Sequence, residues 1–201
     1  MKNKLICCIG DSLTQGDYGV LNMSGIACVK EKNYPYFLKE LTGCEVKNFG
    51  YCGARSTDIL RLFDKGIIDV SNADIIIIML GTNGGQTPEG NSECDLAYIE
   101  ITNRCLKQAP NSKIFLCTPP HATTNPKKSN FGYYEQVKDA AIFVKNLKEA
   151  TSFELIDIFN DDHFNDENED IMQPNDGLHF SEIGYQTLAT IIYNHINKYL
   201  K

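Results

Sequence analysis

Short apolar runs alternate with longer amphipathic segments along the whole chain. Five apolar runs predict strands, at residues 4–10, 44–50, 73–81, 112–120 and 153–159. The third run, ADIIIIMLG, has no polar alternation, which is typical of a parallel strand that is covered on both faces. Helical spacing and helix-end signals predict five helices, at residues 34–43, 56–66, 92–107, 133–150 and 181–200. This alternation indicates an α/β protein, a three-layer αβα sandwich with about five parallel strands.

Residue types at the predicted helix ends support this division. Ser56 and Ser181 are predicted N-caps, because their hydroxyls can accept hydrogen bonds from free backbone N–H groups. Glu182 adds a negative charge to the first turn of the last helix, where the helix dipole favours it. Gly43 and Gly66 are predicted to end their helices.

Length and charge limit the class of protein. The 201 residues contain no linker-like stretch, so we expect one domain over residues 1–201. The formal net charge of −7 argues against nucleic acid and anionic membranes as partners. No apolar stretch approaches the roughly 20 residues of a membrane helix, and the first run meets Gly10 and Asp11 too early for a secretory signal. We expect no integral membrane segment, and the sequence makes no prediction about the oligomeric state.

The eight cysteines do not follow a disulfide or zinc pattern. Cys7, Cys8 and Cys117 lie in apolar runs and Cys105 lies in a helical pattern, which favours buried free thiols in a reducing cytoplasm. Cys7 and Cys8 are adjacent in a strand and should point to opposite faces of the sheet. The acidic stretch at residues 160–170 is interpreted as a solvated loop, because its spacing does not fit an EF-hand. Phosphate-binding glycine motifs are absent, and we expect no cofactor and no metal.

Polar residues and glycines follow the predicted strands. They are Gly10, Asp11 and Ser12 after the first strand, Asn48 and Gly50 at the second, Gly81, Thr82 and Asn83 at the third, and Asp176 and His179 beyond the fifth. Ligands of open α/β sheets bind at the carboxyl ends of the strands, so these residues are expected to converge.

These residue types can form a hydrolytic site. Ser12 needs a base to become a nucleophile, and His179 can act as that base near neutral pH. Asp176, three residues earlier, can orient the imidazole and stabilise its protonated form. The backbone N–H groups of Ser12 and Gly50 and the side-chain amide of Asn83 are the predicted donors to an oxyanion.

The same segments resemble a known family. GDSLT, the glycine of NFGYCG, GTN and DGLH are similar to the four sequence blocks of the SGNH hydrolases, or GDSL esterases and lipases, and occur in the same order. The resemblance implies a flavodoxin-like fold, Ser12 as nucleophile, His179 as base and Asp176 as its partner, with Ser12, Gly50 and Asn83 in the oxyanion hole. One departure concerns the third block, where GTNGG replaces the family's usual GTND and leaves the shape of the loop at residues 84–91 open.

Other residues are candidates for substrate contact, or have simpler roles. They are Asp11, Arg55, Gly84 and His121, although Asp11 can instead bond turn amides and Arg55 can form a surface ion pair. His121 follows the fourth strand and is the rival of His179, whereas His163 and His195 are expected in solvent or in packing contacts. Ser12 could also serve only as a helix cap, and Asn83 only to stabilise its turn.

The predicted function is therefore a serine esterase that acts on a small-molecule carboxylic ester through an acyl-enzyme. Residues 17–33 are interpreted as a mixed polar loop that borders the cleft, so short acyl groups are preferred, such as O-acetyl on a carbohydrate. A lysophospholipase or thioesterase for longer chains is the enzymatic alternative. A non-catalytic flavodoxin-like binding module is the alternative from another class.

Overall fold

The computed structural model describes residues 4–200, so residues 1–3 and 201 of the predicted domain lie outside it. In chain order, the first half contains β1 (Leu5–Gly10), α1 (Ser12–Gln15), β2 (Asp17–Leu21), β3 (Ala27–Val29), α2 (Tyr34–Thr42), β4 (Glu45–Gly50) and α3 (Ser56–Asp64). The second half contains β5 (Ile75–Met79), α4 (Glu93–Gln108), β6 (Lys113–Cys117), α5 (Tyr134–Glu149), β7 (Glu154–Ile156), α6 (Glu169–Met172) and α7 (Glu182–Ile196). Single 3₁₀ turns precede α5 and follow α7.

The five predicted strands form one parallel sheet in the order β4-β1-β5-β6-β7. Counting only these strands along the chain, the order is 2-1-3-4-5, which is the flavodoxin-like arrangement. Gly10 of β1 pairs in register with Gly50 of β4 and with Met79 of β5, so these three strands end level with one another. The polar residues that follow them therefore meet at one edge of the sheet.

Helices cover both faces of the sheet, as predicted. Cys8 packs in a core with residues of α2 and α7, and Cys7 packs in a second core with residues of α3, α4 and α5. The two adjacent cysteines thus point to opposite faces. All five residues of β5 are buried, which explains the unbroken run of isoleucines in the sequence.

Most helix-end predictions are confirmed, and one is wrong. Ser181 caps α7 by accepting a hydrogen bond from the Gly184 N–H, and Gly43 ends α2 in the left-handed conformation. Ser56, however, is the first residue inside α3 and not its cap. Its buried hydroxyl accepts a hydrogen bond from the Gln86 side chain at 2.8 Å, so Ser56 connects α3 to the loop that follows β5.

Residues 17–33 are not the mixed polar loop that the sequence suggests. They contain an antiparallel hairpin of β2 and β3, whose turn is held by Asn22 Oδ1 and a left-handed Gly25. Five exposed side chains of the hairpin are apolar: Val20, Leu21, Met23, Ile26 and Val29. The strand β2 begins at Asp17, separated from the end of α1 by one residue, and this places the hairpin close to the end of β1.

The acidic stretch at residues 160–170 is only partly a solvated loop. Phe164 and Glu169 are buried, and Glu169 starts the short helix α6. Within residues 4–200, no group of acidic, histidine or cysteine side chains is arranged to hold a metal ion. All eight cysteines are free thiols, and no helix in the described part of the chain is long and apolar enough to cross a membrane.

Candidate active site

Ser12 is positioned by the abrupt end of β1. The strand stops at Gly10, and the Asp11 carboxylate then accepts a hydrogen bond from the Leu13 N–H at 3.0 Å, which starts α1 at Ser12. Because Ser12 is the first residue of this helix, its own N–H has no acceptor within the helix. Both its hydroxyl and its backbone donor therefore lie at the carboxyl edge of the sheet.

A chain of hydrogen bonds connects Ser12, His179 and Asp176. Ser12 Oγ lies 2.9 Å from His179 Nε2, and His179 Nδ1 lies 2.7 Å from Asp176 Oδ2. The second carboxylate oxygen, Asp176 Oδ1, accepts the backbone N–H groups of Leu178 and His179. Both oxygens of Asp176 are thus used, which fixes the ring of His179 with Nε2 directed at the serine.

The surroundings raise the pKa of the histidine and lower that of the aspartate. Burial by itself lowers the pKa of His179, but the hydrogen bond and charge of Asp176, with the charges of Asp17 and Asp11, raise it above its ordinary value. For Asp176, burial raises the pKa, but the bond to His179 and two backbone N–H groups outweigh it, and the net shift is downward. This pair can accept the hydroxyl proton of Ser12 and hold the resulting positive charge.

Asn83 lies in the loop that follows β5 and is held by the segment before α3. Its side-chain Nδ2 donates to the Ala54 carbonyl at 3.0 Å, and its own carbonyl accepts Arg55 Nε at 3.1 Å. The amide has two hydrogens, and the bond to Ala54 uses only one of them. The second hydrogen has no acceptor among the described residues.

Gly50 does not have the predicted role. Its N–H donates to Asn48 Oδ1 at 2.8 Å and is no longer free for an oxyanion. A β-carbon at Gly50 would lie 2.1 Å from the backbone nitrogen of Gln15, so glycine is needed here for the close packing of α1 on β4. The prediction of Gly50 as an oxyanion donor is therefore wrong.

Gly53, the second glycine of NFGYCG, has the free N–H that Gly50 lacks, and the sequence did not indicate it. It is exposed, has a left-handed backbone with φ of +71°, and its N–H forms no hydrogen bond within residues 4–200. The residues on either side of Gly53 form hydrogen bonds with residues of the site. The Cys52 thiol donates to Asp17, and the Ala54 carbonyl accepts from the Asn83 side chain. The signal in the sequence is that this glycine follows the strand, whereas Gly50 is still paired within it.

Two of the predicted substrate contacts are buried. Asp11 is fully buried, and its bond to the Leu13 N–H confirms the alternative that it serves turn amides. Burial raises its pKa to about 6, although the Leu13 N–H acts in the opposite direction. Gly84 is also buried and packs beneath Gln136, whose amide donates to the Thr82 carbonyl and fixes the loop after β5. Direct substrate contact by either residue is not supported.

The other two candidates lie in different settings. Arg55 is exposed, and its guanidinium is fixed at Nε by the Asn83 carbonyl, so it remains a candidate for substrate contact at the rim. His121 packs against the rings of Tyr134 and Phe159, with Nδ1 3.9 Å from Asp166. The histidine that bonds to Ser12 is His179, and His121 is not its rival in this structure.

Asp17 is a further residue at the site that the sequence did not indicate. Its carboxylate is buried, and Oδ2 lies 3.7 Å from His179 Nε2, the nitrogen that faces Ser12. The motif GDSLTQGD contains this aspartate, but its position relative to the histidine depends on how the hairpin folds.

Comparison with known proteins places the chain in a family. The model of the GDSL-like lipase/acylhydrolase family matches residues 8–187, and the chain belongs to that family. It is an ester hydrolase of the SGNH type. An isoamyl acetate-hydrolysing esterase from Schizosaccharomyces pombe is 27% identical over 195 residues, which cover 94% of this chain and 74% of that protein.

Solved structures share the fold at lower identity. An aryl esterase from M. smegmatis has a TM-score of 0.73 and 20% identity, covering 97% of this chain and 99% of that one. A lipase/acylhydrolase from Enterococcus faecalis has a TM-score of 0.72 and 22% identity, and the match covers 98% of this chain and 97% of that one. Est24, a carbohydrate acetylesterase from Sinorhizobium meliloti, has a TM-score of 0.72 and 18% identity, and the match covers 97% of this chain and 99% of that one.

Proposed function

We propose that Ser12 is the nucleophile of an acyl-enzyme mechanism. Its oxygen attacks the ester carbonyl while its proton passes to His179 Nε2, and that proton then goes to the oxygen of the leaving alcohol. Water attacks the acyl-serine in the second half, gives a proton to His179, and returns Ser12 with release of the acid. The observation that carries this proposal is the unbroken hydrogen-bond chain from Ser12 through His179 to Asp176.

The oxyanion of each tetrahedral intermediate is bound by three donors. They are the N–H groups of Ser12 and Gly53 and the side-chain amide of Asn83, each of which has a hydrogen with no assigned acceptor in the described chain. Donors held in place before the reaction stabilise the transition state without reorganisation, so removing one costs about 10²–10³-fold in kcat.

The preferred substrate is an ester with a short acyl group, such as O-acetyl on a carbohydrate. Two relatives support the acetyl group by their names, the isoamyl acetate-hydrolysing esterase and the carbohydrate acetylesterase Est24. The reaction takes place within one catalytic domain, residues 1–201, in a reducing compartment that suits its eight free thiols.

A longer acyl chain, as in a lysophospholipase or thioesterase, is the second candidate. The apolar side chains exposed on the β2–β3 hairpin favour it, because the same hairpin holds Asp17 beside His179 and these side chains can cover a hydrocarbon chain. Rates on p-nitrophenyl acetate and p-nitrophenyl octanoate distinguish the two. We expect the acetyl ester to be preferred, and a strong preference for octanoate that disappears in Leu21→Ser would favour the second candidate.

The nucleophile is tested by covalent labelling with a fluorophosphonate probe. Native protein should be labelled, and Ser12→Ala should not. Equal labelling of the two proteins, or no labelling of folded native protein, would contradict the mechanism. A non-catalytic binding module would also fail to react, so the same experiment tests the alternative from the other class.

A further inference from the structure

Asp17 holds a negative charge beside the reacting nitrogen of His179. Asp17 Oδ2 lies 3.7 Å from Nε2, whereas Asp176 bonds the other ring nitrogen, Nδ1, at 2.7 Å. Asp17 is 5% exposed, so water screens this charge only weakly. The imidazole of His179 therefore lies between two buried carboxylates, one at each nitrogen.

Three further contacts keep Asp17 in this position. Its Oδ1 accepts the Gly19 N–H at 2.9 Å, its Oδ2 accepts the Cys52 thiol at 3.2 Å, and its backbone carbonyl accepts the Tyr185 hydroxyl at 2.7 Å. Burial, followed by the contact with Asp17, raises the pKa of the Cys52 thiol to about 12, so the thiol stays protonated and remains a donor. The carboxylate is built into the site and is not a surface acid that happens to approach it.

We propose that Asp17 is a positioning residue that acts through His179: its charge stabilises the imidazolium when Nε2 takes the proton of Ser12. The part of this inference that concerns catalysis rests on the proposed function. The charged and titratable groups that face His179 are Asp176, Asp17 and Asp11, and all three are acids. Asp17 is the one whose carboxylate lies at Nε2, where the transferred proton arrives.

This arrangement has a consequence for the dependence of the rate on pH. A carboxylate within about 4 Å of an imidazole favours the charged form and raises its pKa by about 1 unit or more. His179 must be neutral to accept the proton of Ser12. The higher pKa makes His179 a stronger base, but it also means that activity is lost at a higher pH when the solution is acidified. Loss of the Asp17 charge should therefore extend activity to lower pH and reduce the rate at the plateau.

The test is the pKa of His179 in Asp17→Asn, followed by NMR of the imidazole. The chain has four histidines, so the signal can be assigned by its loss in His179→Ala. The asparagine keeps an oxygen to accept the Gly19 N–H and removes the charge, and we expect the pKa to fall by about 1 unit. The acid limb of kcat/KM should move by the same amount. Asp17→Ala removes the charge without adding an amide donor and should give the same direction.

A matched control is Asp161→Asn. Asp161 Oδ1 lies 2.7 Å from His163 Nδ1 in an exposed pair, so the same change of charge is made at another aspartate–histidine contact. It should leave the pKa of His179 and the acid limb unchanged. Cys52→Ala provides a change in the opposite direction, because the Asp17 carboxylate loses a competing donor and the pKa of His179 should rise.

The outcomes separate this inference from the proposed function. If the Asp17 variants fold and the pKa of His179 stays unchanged in them, the role of Asp17 is overturned. If the Asp17 variants do not fold, Cys52→Ala is the test, and an unchanged pKa of His179 in that variant overturns the role. If the native protein is an active esterase and the pKa of His179 is unchanged in the Asp17 variants, only the proposed role of Asp17 is overturned. If the pKa falls as expected but the native protein hydrolyses no ester and does not react with fluorophosphonate, the proposed function fails and the electrostatic contact stands.

Discussion

Gly19 of the hairpin lies directly against Asp176 of the hydrogen-bond chain. A β-carbon at Gly19 would be 2.6 Å from Asp176 Oδ2, the same oxygen that bonds His179. The adjacent residues are also joined, because the Asn175 side chain donates to the Tyr18 carbonyl at 2.7 Å. The hairpin and the loop that holds His179 therefore form one packed unit, and small changes in β2 should affect the reaction.

Gly19→Ala should reduce activity more than stability. The added methyl group meets the Asp176 carboxylate, and a displacement of about 1 Å at a reacting group can cost about 10²-fold in kcat. Gly25→Ala is the matched control, since Gly25 lies in the same hairpin with a similar φ of +72° and has nothing within 4 Å of an added β-carbon. Both variants carry a backbone strain of about 1–2 kcal/mol. Equal activity in the two variants, measured as kcat and KM, would contradict the packed unit.

The two glycines after Asn48 should respond differently to alanine. Gly50→Ala places a methyl group against the backbone of Thr14 and Gln15, which cannot move aside easily, and we expect a loss of about 3 kcal/mol or more in the free energy of unfolding. Gly53→Ala meets no atom and should cost about 1–2 kcal/mol, from its φ of +71° alone. Urea denaturation measures both. A greater loss of unfolding free energy in Gly53→Ala than in Gly50→Ala would contradict the close packing of α1 on β4.

Replacement of His179 should nearly abolish the reaction. His179→Ala removes the base that bonds Ser12, and we expect kcat to fall by about 10⁴-fold or more. His121→Ala is the informative comparison, because His121 packs on Tyr134 and Phe159 and should retain most of the activity. Retained activity in His179→Ala together with its loss in His121→Ala would exchange the two roles.

Asp11 should make stability depend on pH. Its pKa is raised from 3.8 to about 6 by burial, so the folded state binds the proton more tightly than the unfolded state. The contribution of Asp11 to the free energy of unfolding is present at low pH and is lost as the pH rises from about 4 to about 6. The full loss is about 3 kcal/mol for this fully buried group. Asp11→Asn keeps the acceptor for the Leu13 N–H and lacks this titration.

The measurement is the free energy of unfolding of native protein and Asp11→Asn at pH 4 and pH 7. The variant should gain about 2 kcal/mol relative to native protein between these two values, because the unfolded carboxyl is already partly ionised at pH 4. A difference that is the same at both values would mean that the pKa of Asp11 is not raised in the folded state.

The sheet was predictable because its strands carry a local signal. The isoleucine run of β5 and the apolar run of β1 are buried on both faces, and such burial requires continuous apolar sequence. The hairpin was missed because β2 and β3 expose apolar side chains and bury few, so their sequence shows no clear alternation. The first strand of the hairpin also contains Gly19, which weakens any strand pattern.

Within the site, Ser12 and His179 were predictable from residue type and from their positions near the sheet edge. The choice between Gly50 and Gly53 was not, because both are glycines in one short motif. The difference is the direction of one N–H group, which the Asn48 side chain captures at position 50. The sequence alone does not specify where that side chain points.

Residue types and their order along the chain were enough to predict the five-stranded parallel sheet, the edge at which the site forms, and the serine, histidine and aspartate that meet there. Which backbone donors remain free, where the hairpin lies, and that Asp17 faces His179 became visible only in the folded chain. The difference lies in the range of the interactions. Strand burial and helix capping depend on nearby residues, whereas a free N–H or a charge beside a ring nitrogen depends on contacts between segments far apart in the chain.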